Sequence, residues 1–283
     1  SDVCSSDLSP TRGEGTQPPP SFLVGKGRGG GNAVTAAAII AALAWIFLLL
    51  FRGGFWKSDQ RLSNDPATLE IWPAVVAVIP ARDEAETIGR AVGSLLAQDY
   101  PGIFSVIVVD DGSTDGTAEI AHATAAGSDK LTVIAGRPLE PGWTGKLWAL
   151  EQGKAEAGKR TPTFLLFTDA DIEHDPPNLR RLVAKAEGGC LDMVSSMVQL
   201  VAATGWERLL IPAFIFFFQK LYPFPWVNDP RRSTAAAAGG CVLIRASALD
   251  RAGGLTSIRD RVIDDCALAA RIKPGGQIGR AHV

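Results

Sequence analysis

The stretch "FTDADIEHD" (167–175) sets four acids, Asp169, Asp171, Glu173 and Asp175, directly behind the apolar run "TPTFLL". A strand that buries "FLLF" would ordinarily end in a turn of mixed polarity. So many carboxylates together ask either for open solvent or for a cation. Two further polar segments have the same setting. "PARDEAE" brings Arg82, Asp83 and Glu84 behind "AVVAVI" (74–79), and "DDGSTDG" brings Asp110, Asp111 and Asp115 behind "SVIVV" (105–109). Crowded carboxylates are unfavourable unless positive charge or hydrogen bonds offset them. A divalent metal carrying a phosphorylated substrate does this, because Mg²⁺ or Mn²⁺ takes one or two carboxylates and fills its other positions with phosphate oxygens and water. Each segment alone is a weak signal. "DDGSTDG" reads equally well as a polar turn with a helix cap, and D-x-D is common in loops.

The elements that must position these acids are legible around them. "AVVAVI" and "SVIVV" are continuous apolar, β-branched runs of the kind buried on both faces of a sheet. "LTVI" (131–134) and "TFLLF" (163–167) read as two more strands. Between them, "AETIGRAVGSLLAQ" carries Ile88, Val92, Leu95 and Leu96 at helical spacing. "STDGTAEIAHATA" starts a second helix with Ser113 or Thr114 as N-cap, and "GKLWALEQGKAEAG" is a third. Strands alternating with helices predict an α/β fold with a parallel, right-handed sheet. Such sheets bind ligands at the carboxyl ends of their strands, where all three acidic segments emerge.

The chain has 283 residues, 46% hydrophobic, with a formal net charge of −2. That length suits one large domain or two small ones, and the near-neutral balance argues against a nucleic-acid partner. Its four cysteines have neither C-x-x-C spacing nor nearby histidines, so no zinc site and no disulfide framework is expected. The slightly positive mean hydropathy points to a membrane segment. Residues 33–51 carry no charge and are long enough for a helix to cross a bilayer core of about 30 Å. The run is long for a cleaved signal peptide and lacks an A-x-A-like site. Lys26 and Arg28 precede it, and Arg52, Lys57 and Arg61 follow it. That balance leans toward an inner-membrane anchor with the following domain facing the cytoplasm. Trp45, Phe55 and Trp56 suit interfacial positions. Residues 9–32, rich in Pro, Gly and Ser, are expected to be disordered. Residues 211–218, "IPAFIFFF", are too few to span a bilayer and read either as an interfacial segment or as a buried core helix.

The two ends form a pair. One choice of codons for "DVCSSDL" (2–8) has a reverse complement whose last six codons spell "IGRAHV" (278–283). Residues 1–8 and 278–283 are therefore expected to derive from a sequencing adaptor and to carry no fold information. The natural chain is then expected to continue beyond Gln277.

Taken in order, "VIPARDEAETI…SLLAQDYP…VIVVDDGSTDGT…GWTGKLWAL…FLLFTDADI" resembles the family 2 glycosyltransferases of the GT-A fold. The resemblance spans residues 72–277, within a domain drawn as 71–277. "FRGGFWKSDQRL", with "GWTGKLWAL", is similar to the hopene-associated glycosyltransferases of hopanoid biosynthesis. The resemblance implies an inverting enzyme that moves a sugar from a nucleotide-sugar, a UDP-sugar by expectation, to a lipid acceptor such as a hopanoid or polyprenoid. It implies that Pro80, Asp83 or Glu84, and Asp110 and Asp111 line the nucleotide pocket. It places Lys146 of "TGK" near the diphosphate, where the alternative is a solvated helix start. Asp169 and Asp171 match the family's D-x-D, with Asp171 as the direct ligand of Mg²⁺ or Mn²⁺. Glu173 and Asp175 fall outside that motif, facing water or capping the next helix. His174 is either a second ligand or an ordinary surface histidine.

Further on, Gly239, Gly240 and Arg245 of "AGGCVLIRASAL" match an acceptor-side segment. "VIDDCALAARI" matches the segment that supplies the base, with Asp265 first and Asp264 second. An acidic helix start, favoured by the helix dipole, accounts for the same residues. Many membrane-bound members carry a Q-x-x-R-W motif soon after the base. It is absent here, and truncation would explain that. Two rivals remain. A nucleotidyltransferase would place a glycine-rich basic loop straight after the first strand, whereas here no glycine occurs until Gly89. A non-catalytic nucleotide-sugar-binding module would keep the pocket without turnover.

Overall fold

The computed structural model describes residues 30–64 and 68–282. The chain divides into two compact units, residues 1–46 and 47–283. In the first, the described residues belong to helix α1 (Gly30–Phe51). Residues 32–51 of α1 are long and apolar enough to cross a membrane by length and composition. Val34, Ile39, Ile40 and Leu43 are exposed. Residues 1–8 and nearly all of the Pro/Gly/Ser-rich tract lie outside the described residues.

The second unit alternates strands and helices: β1 (Val75–Ala81), α2 (Ile88–Leu96), β2 (Phe104–Asp110), α3 (Thr117–Ala125), β3 (Leu131–Ala135), α4 (Gly145–Gly158), β4 (Phe164–Thr168), α5 (Asn178–Gly188) and β5 (Met193–Met197). Then come α6 (Gly205–Leu221), α7 (Phe224–Asn228), β6 (Cys241–Arg245), α8 (Ala246–Arg251), a 3₁₀ turn (Leu255–Ile258), α9 (Asp264–Ile272) and β7 (Ile278–His282). The strands form one mixed sheet in the order β3-β2-β1-β4-β6-β5-β7. Strands β1 to β4 are parallel, as their apolar runs imply. β6 runs antiparallel to both of its neighbours.

Every residue of β1 except Pro80, and every residue of β4, is buried. Alternation along β1 sends Val76 and Val78 to one face and Ala77 and Ile79 to the other. Helices α4, α8 and α9 cover the first face with Leu147, Leu150, Leu249 and Leu268. Helices α2 and α5 cover the second with Ile88, Leu95, Leu179 and Leu182. Each such side chain, fully buried, contributes about 1.5–3 kcal/mol of transfer free energy. The register sets Ala81 opposite Asp110 and Val78 opposite Phe167. The carboxyl ends of β1, β2 and β4 therefore emerge side by side.

Three expectations change against the fold, and a fourth is untouched. Neither Ser113 nor Thr114 caps α3. The helix begins at Thr117, and the Asp115 carboxylate accepts from the amides of Thr117 (3.1 Å) and Ala85 (2.9 Å). Phe55 is not interfacial: it is 1% exposed and packs edge-on against Phe216, 5.1 Å between centroids. The aromatic segment is not a core helix either. Trp206, Leu209, Leu210, Phe214 and Phe217 of α6 are exposed, and Gln219 is the residue it buries. Finally, Ile278–His282 forms β7, parallel to β5. An unpaired sheet edge accepts extended backbone through main-chain hydrogen bonds alone, so this pairing is indifferent to the origin of the segment.

Helix α4 lies unusually close to the sheet. A Cβ on Gly153 would stand 2.2 Å from Val78 Cγ1 and 3.0 Å from Val109 Cγ2. Helical propensity favours alanine over glycine by up to about 1 kcal/mol, but overpacking a rigid β-branched contact costs about 1–3 kcal/mol. Gly153→Ala should therefore destabilise the protein, seen as a lower midpoint in denaturant unfolding. An unchanged or raised midpoint would show that α4 can move off β1.

Candidate active site

A cleft of about 390 Å³ opens where β1, β2 and β4 end, bordered by Pro80, Arg82, Glu84, Asp111, Lys146 and Asp171. A narrower recess of about 20 Å³ adjoins it, bordered by Gly239, Asp264 and Asp265. Pro80, Lys146 and Asp169 border both. Eight of the residues singled out in the sequence thus meet: Pro80, Glu84, Asp111, Lys146, Asp169, Asp171, Asp264 and Asp265.

Asp83 and Asp110 do not border the cleft. Asp83 adopts a left-handed backbone (φ 53°), a conformation that Asp tolerates better than most residues. Its Oδ1 accepts from the Thr114 amide (2.8 Å), and its own amide donates to Ser113 Oγ (3.0 Å). Asp110 Oδ1 accepts from the Ser113 amide at 3.3 Å. Asp83 thus braces the loop after β1 against the loop after β2, and Asp110 folds the loop after β2 back on its own strand. Arg245 pairs with Phe164 at the far end of β4 and bonds Glu187 at 2.8 Å, so it lies at the opposite edge of the sheet. Glu173 and Asp175 are exposed, and no side chain caps α5.

Lys146 stands on the first turn of α4. The Thr144 side chain caps that turn by accepting from the Leu147 amide (3.4 Å), and the Thr144 amide donates to the Arg259 carbonyl (2.9 Å). The "WTGK" run holds this cap signal, a threonine just ahead of the helix, although its apolar pattern alone marks only the helix body. Lys146 Nζ sits 2.6 Å from Asp169 Oδ1 and 3.9 Å from Asp264 Oδ2. Burial pulls the ammonium down, but Asp169 and Asp264 overcome it and hold it above its ordinary value. Burial also drives the Asp169 carboxyl above the usual carboxylate range, with Asp171 and Asp264 adding to it, and Lys146 only partly opposes this. The cluster is short of positive charge.

That deficit and the oxygen-only donor set fit a hard divalent cation. Among the described residues no three His, Cys, Asp or Glu side chains gather as a closed metal cage. An open pair of carboxylates completed by phosphate oxygens is the arrangement such ions accept.

Asp265 Oδ2 accepts from the Gly239 amide (2.9 Å) and Oδ1 from the Cys266 amide (2.6 Å). A Cβ on Gly239 would lie 3.3 Å from Asp265 Oδ2, so glycine allows the backbone this approach. Each carboxylate oxygen has two lone pairs, which leaves room for a further donor.

His174 is neither ligand nor surface residue. It is 6% exposed. Its Nδ1 accepts from Asn178 Nδ2 (2.9 Å), which leaves the proton on Nε2 to donate to Thr168 Oγ1 (2.9 Å). Thr168 Oγ1 in turn donates to the Gly240 carbonyl (2.9 Å). This chain ties the D-x-D loop to the start of β6.

Comparison with known proteins agrees with the fold. The family profile "Glycosyl transferase family 2" matches residues 76–253. Glycosyltransferase AglE of Haloferax volcanii is 29% identical over 134 residues, 47% of this chain and 42% of its own length. An N-acetylglucosaminyltransferase of Mesorhizobium japonicum is 29% identical over 198 residues, 66% of this chain and 43% of its own. The chain thus spans less than half the length of these relatives. Among solved structures, the mannosyltransferase PcManGT of Pyrobaculum calidifontis, in complex with GDP-Man and Mn²⁺, superposes with a TM-score of 0.63 at 23% identity, covering 89% of this chain and 65% of that one. Staphylococcus aureus TarS 1–349 in complex with UDP-GlcNAc gives 0.51 at 19% identity, covering 73% and 55%.

Burial pushes His174 from 6.5 down to about 4. Its folded value lies below its unfolded one, so the unfolded state binds the proton first. Stability is intact above about pH 6.5 and falls as pH drops toward 4, by up to about 3 kcal/mol. Unfolding free energies measured between pH 4 and 8 should show this slope, and His174→Gln should flatten it. An equal slope in the variant would assign the acid sensitivity elsewhere.

Proposed function

This chain belongs to glycosyl transferase family 2, and on that premise we propose that it moves a sugar from a nucleotide-sugar to a hydroxyl of a lipid acceptor. The observation that carries the reading is that Lys146 and Asp169 border both the cleft, with Asp171, and the adjoining recess, with Asp264 and Asp265. Pro80, Glu84 and Asp111 take the nucleoside. Lys146 offsets the charge of the donor diphosphate. Asp171 and Asp169 would hold Mg²⁺ or Mn²⁺, which would supply Lewis-acid stabilisation of the leaving diphosphate. Asp265, fixed by the Gly239 and Cys266 amides, takes the proton of the acceptor hydroxyl. The acceptor oxygen bonds to the anomeric carbon as the bond to the diphosphate breaks. With one base and no carboxylate nucleophile assigned, the product is inverted. A UDP-sugar is the proposed donor.

A membrane setting supports the lipid acceptor. Within the second unit, Arg52 at the end of α1 donates to the carbonyls of Lys220 (3.0 Å) and Leu221 (3.1 Å) at the end of α6. The guanidiniums of Arg52 and Arg232 lie over the Trp226 ring, 4.9 and 4.5 Å from its centroid. Exposed apolar side chains on α6 beside such cations suit an interfacial helix on an anionic leaflet. We place the enzyme on the inner membrane with its cleft facing the cytoplasm. A hopanoid or polyprenoid acceptor rests on the "FRGGFWKSDQRL" resemblance.

The test is turnover of UDP- and GDP-sugars by the full chain in lipid nanodiscs with Mn²⁺ or Mg²⁺, read as nucleoside diphosphate release and as glycolipid mass. Asp171→Ala and Asp265→Asn should each lower kcat by about 10²–10⁴-fold, and Asp264→Asn by less. Unchanged turnover in the first two would overturn the assigned roles. Nucleotide binding without turnover would favour a binding module, and pyrophosphate release a nucleotidyltransferase.

A further inference from the structure

A second cavity, about 660 Å³, adjoins the cleft and shares Asp171 with it. It lies on the α2 and α5 side of the sheet, between those helices and the loop that follows β5. Its volume falls in the range of small-molecule sites. Ser196 borders it, 1% exposed, and its Oγ has no hydrogen-bond partner among the described residues. A buried hydroxyl without a partner is costly unless a ligand or water completes it. Arg90 and Arg181 also border the cavity. Arg181 Nε is buried without a partner, and no carboxylate among the described residues pairs with either guanidinium. Glu173 and Asp175 border the cavity too, both exposed and bonded to neither arginine. Val198, Leu200 and Val201, in the loop that runs into α6, form an apolar part of the wall, and Asn64, His174, Asn178 and Gln199 add polar groups to the rest.

From this we infer that the cavity binds a phosphate-bearing lipid, its anionic group on Arg90, Arg181 and Ser196 and its chain along Val198, Leu200 and Val201. Planar guanidiniums with open donors suit phosphate oxygens. The apolar loop leads toward the exposed face of α6, the direction from which a membrane lipid would enter. The inference rests on the glycosyl-transfer reading and names the acceptor class for that site. The walls support the link. A Cβ on Gly240 would touch Ile172 and Val198 of the cavity at 3.4 and 3.5 Å, while the adjacent Gly239 contacts Asp265. A lipid held here has its head beside Asp171, the residue that the cavity shares with the donor cleft.

The experiment is photo-crosslinking of the full chain in dodecylmaltoside micelles. The probe is lysophosphatidic acid with a diazirine in its acyl tail, and the control is the monoacylglycerol with the same tail. Peptide mass spectrometry should find residues 198–202 labelled about tenfold more by the phosphate-headed probe. Arg181→Met, which keeps the aliphatic stem, and Arg90→Gln should lower that labelling to the control level, and Arg181→Lys should restore part of it. Equal labelling by both probes, labelling indifferent to the arginines, or labelling confined to α6 would overturn the inference. Inorganic phosphate competing at the same concentration as the lipid would overturn the lipid assignment. UDP and GDP binding with Mn²⁺, measured by calorimetry on the same samples, separates the two readings. Nucleotide binding without arginine-dependent labelling sinks this one alone, and the reverse pattern sinks glycosyl transfer alone.

Discussion

Charge balance at the first turn of α4 is the constraint on which the site depends. One lysine ammonium stands among Asp169, Asp171, Asp264 and Asp265, and the nearest contact is 2.6 Å. Without it, carboxylates from the loop after β4 and from the start of α9 would face one another in a partly desolvated recess, which is strongly unfavourable. Where that ammonium sits is decided by backbone and packing, not by its own flexible stem. The Thr144 cap fixes where α4 starts, and the Thr144 amide on the Arg259 carbonyl joins that start to the chain leading into α9. Gly153 lets the same helix lie flat on Val78 and Val109. Further along the helix, Gln152 Oε1 accepts from the Arg137 amide at 2.6 Å, tying α4 to the loop after β3. A small residue in mid-helix thus sets, through rigid geometry, the place of a charge more than a turn away.

The parts of this arrangement visible in the sequence are those encoded by local pattern. Four strands, three of them buried and β3 at the half-exposed edge, and the helices between them follow from apolar runs and helical spacing. Their carboxyl ends gather the acids because parallel strands all end on one edge. Whether a carboxylate at such an end faces ligand or braces a loop depends on backbone conformation. Asp83 and Asp111 sit at equivalent strand ends. The left-handed turn at Asp83 directs its carboxylate to Thr114, while Asp111 borders the cleft. His174 illustrates a second limit. Its neighbours in sequence are acidic and exposed, yet its ring is buried against Asn178 and Thr168. Burial of a single residue inside a polar loop leaves no periodic trace. Helix α6 inverts the ordinary rule, exposing phenylalanines and burying Gln219. Its composition alone suits a core helix and an interfacial helix equally, and only the fold separates them.

Strand direction was the least legible feature and has the largest consequence for the site. The run "CVLIR" is as apolar as the parallel strands before it, and nothing in it encodes polarity relative to β4. Because β6 runs antiparallel, its first residue, Cys241, lies opposite Thr168, the last residue of β4. The glycines that precede it, Gly239 and Gly240, are thereby carried to the edge where the D-x-D emerges. There Gly239 meets Asp265 and the Gly240 carbonyl receives Thr168 Oγ1. A parallel β6 would have brought Arg245 to that edge and sent the glycines to the opposite one. The single reversed strand is therefore what joins the carboxylates after β4 to those at the start of α9. It also sends Arg245, which the resemblance assigns to the acceptor side, away to bond Glu187.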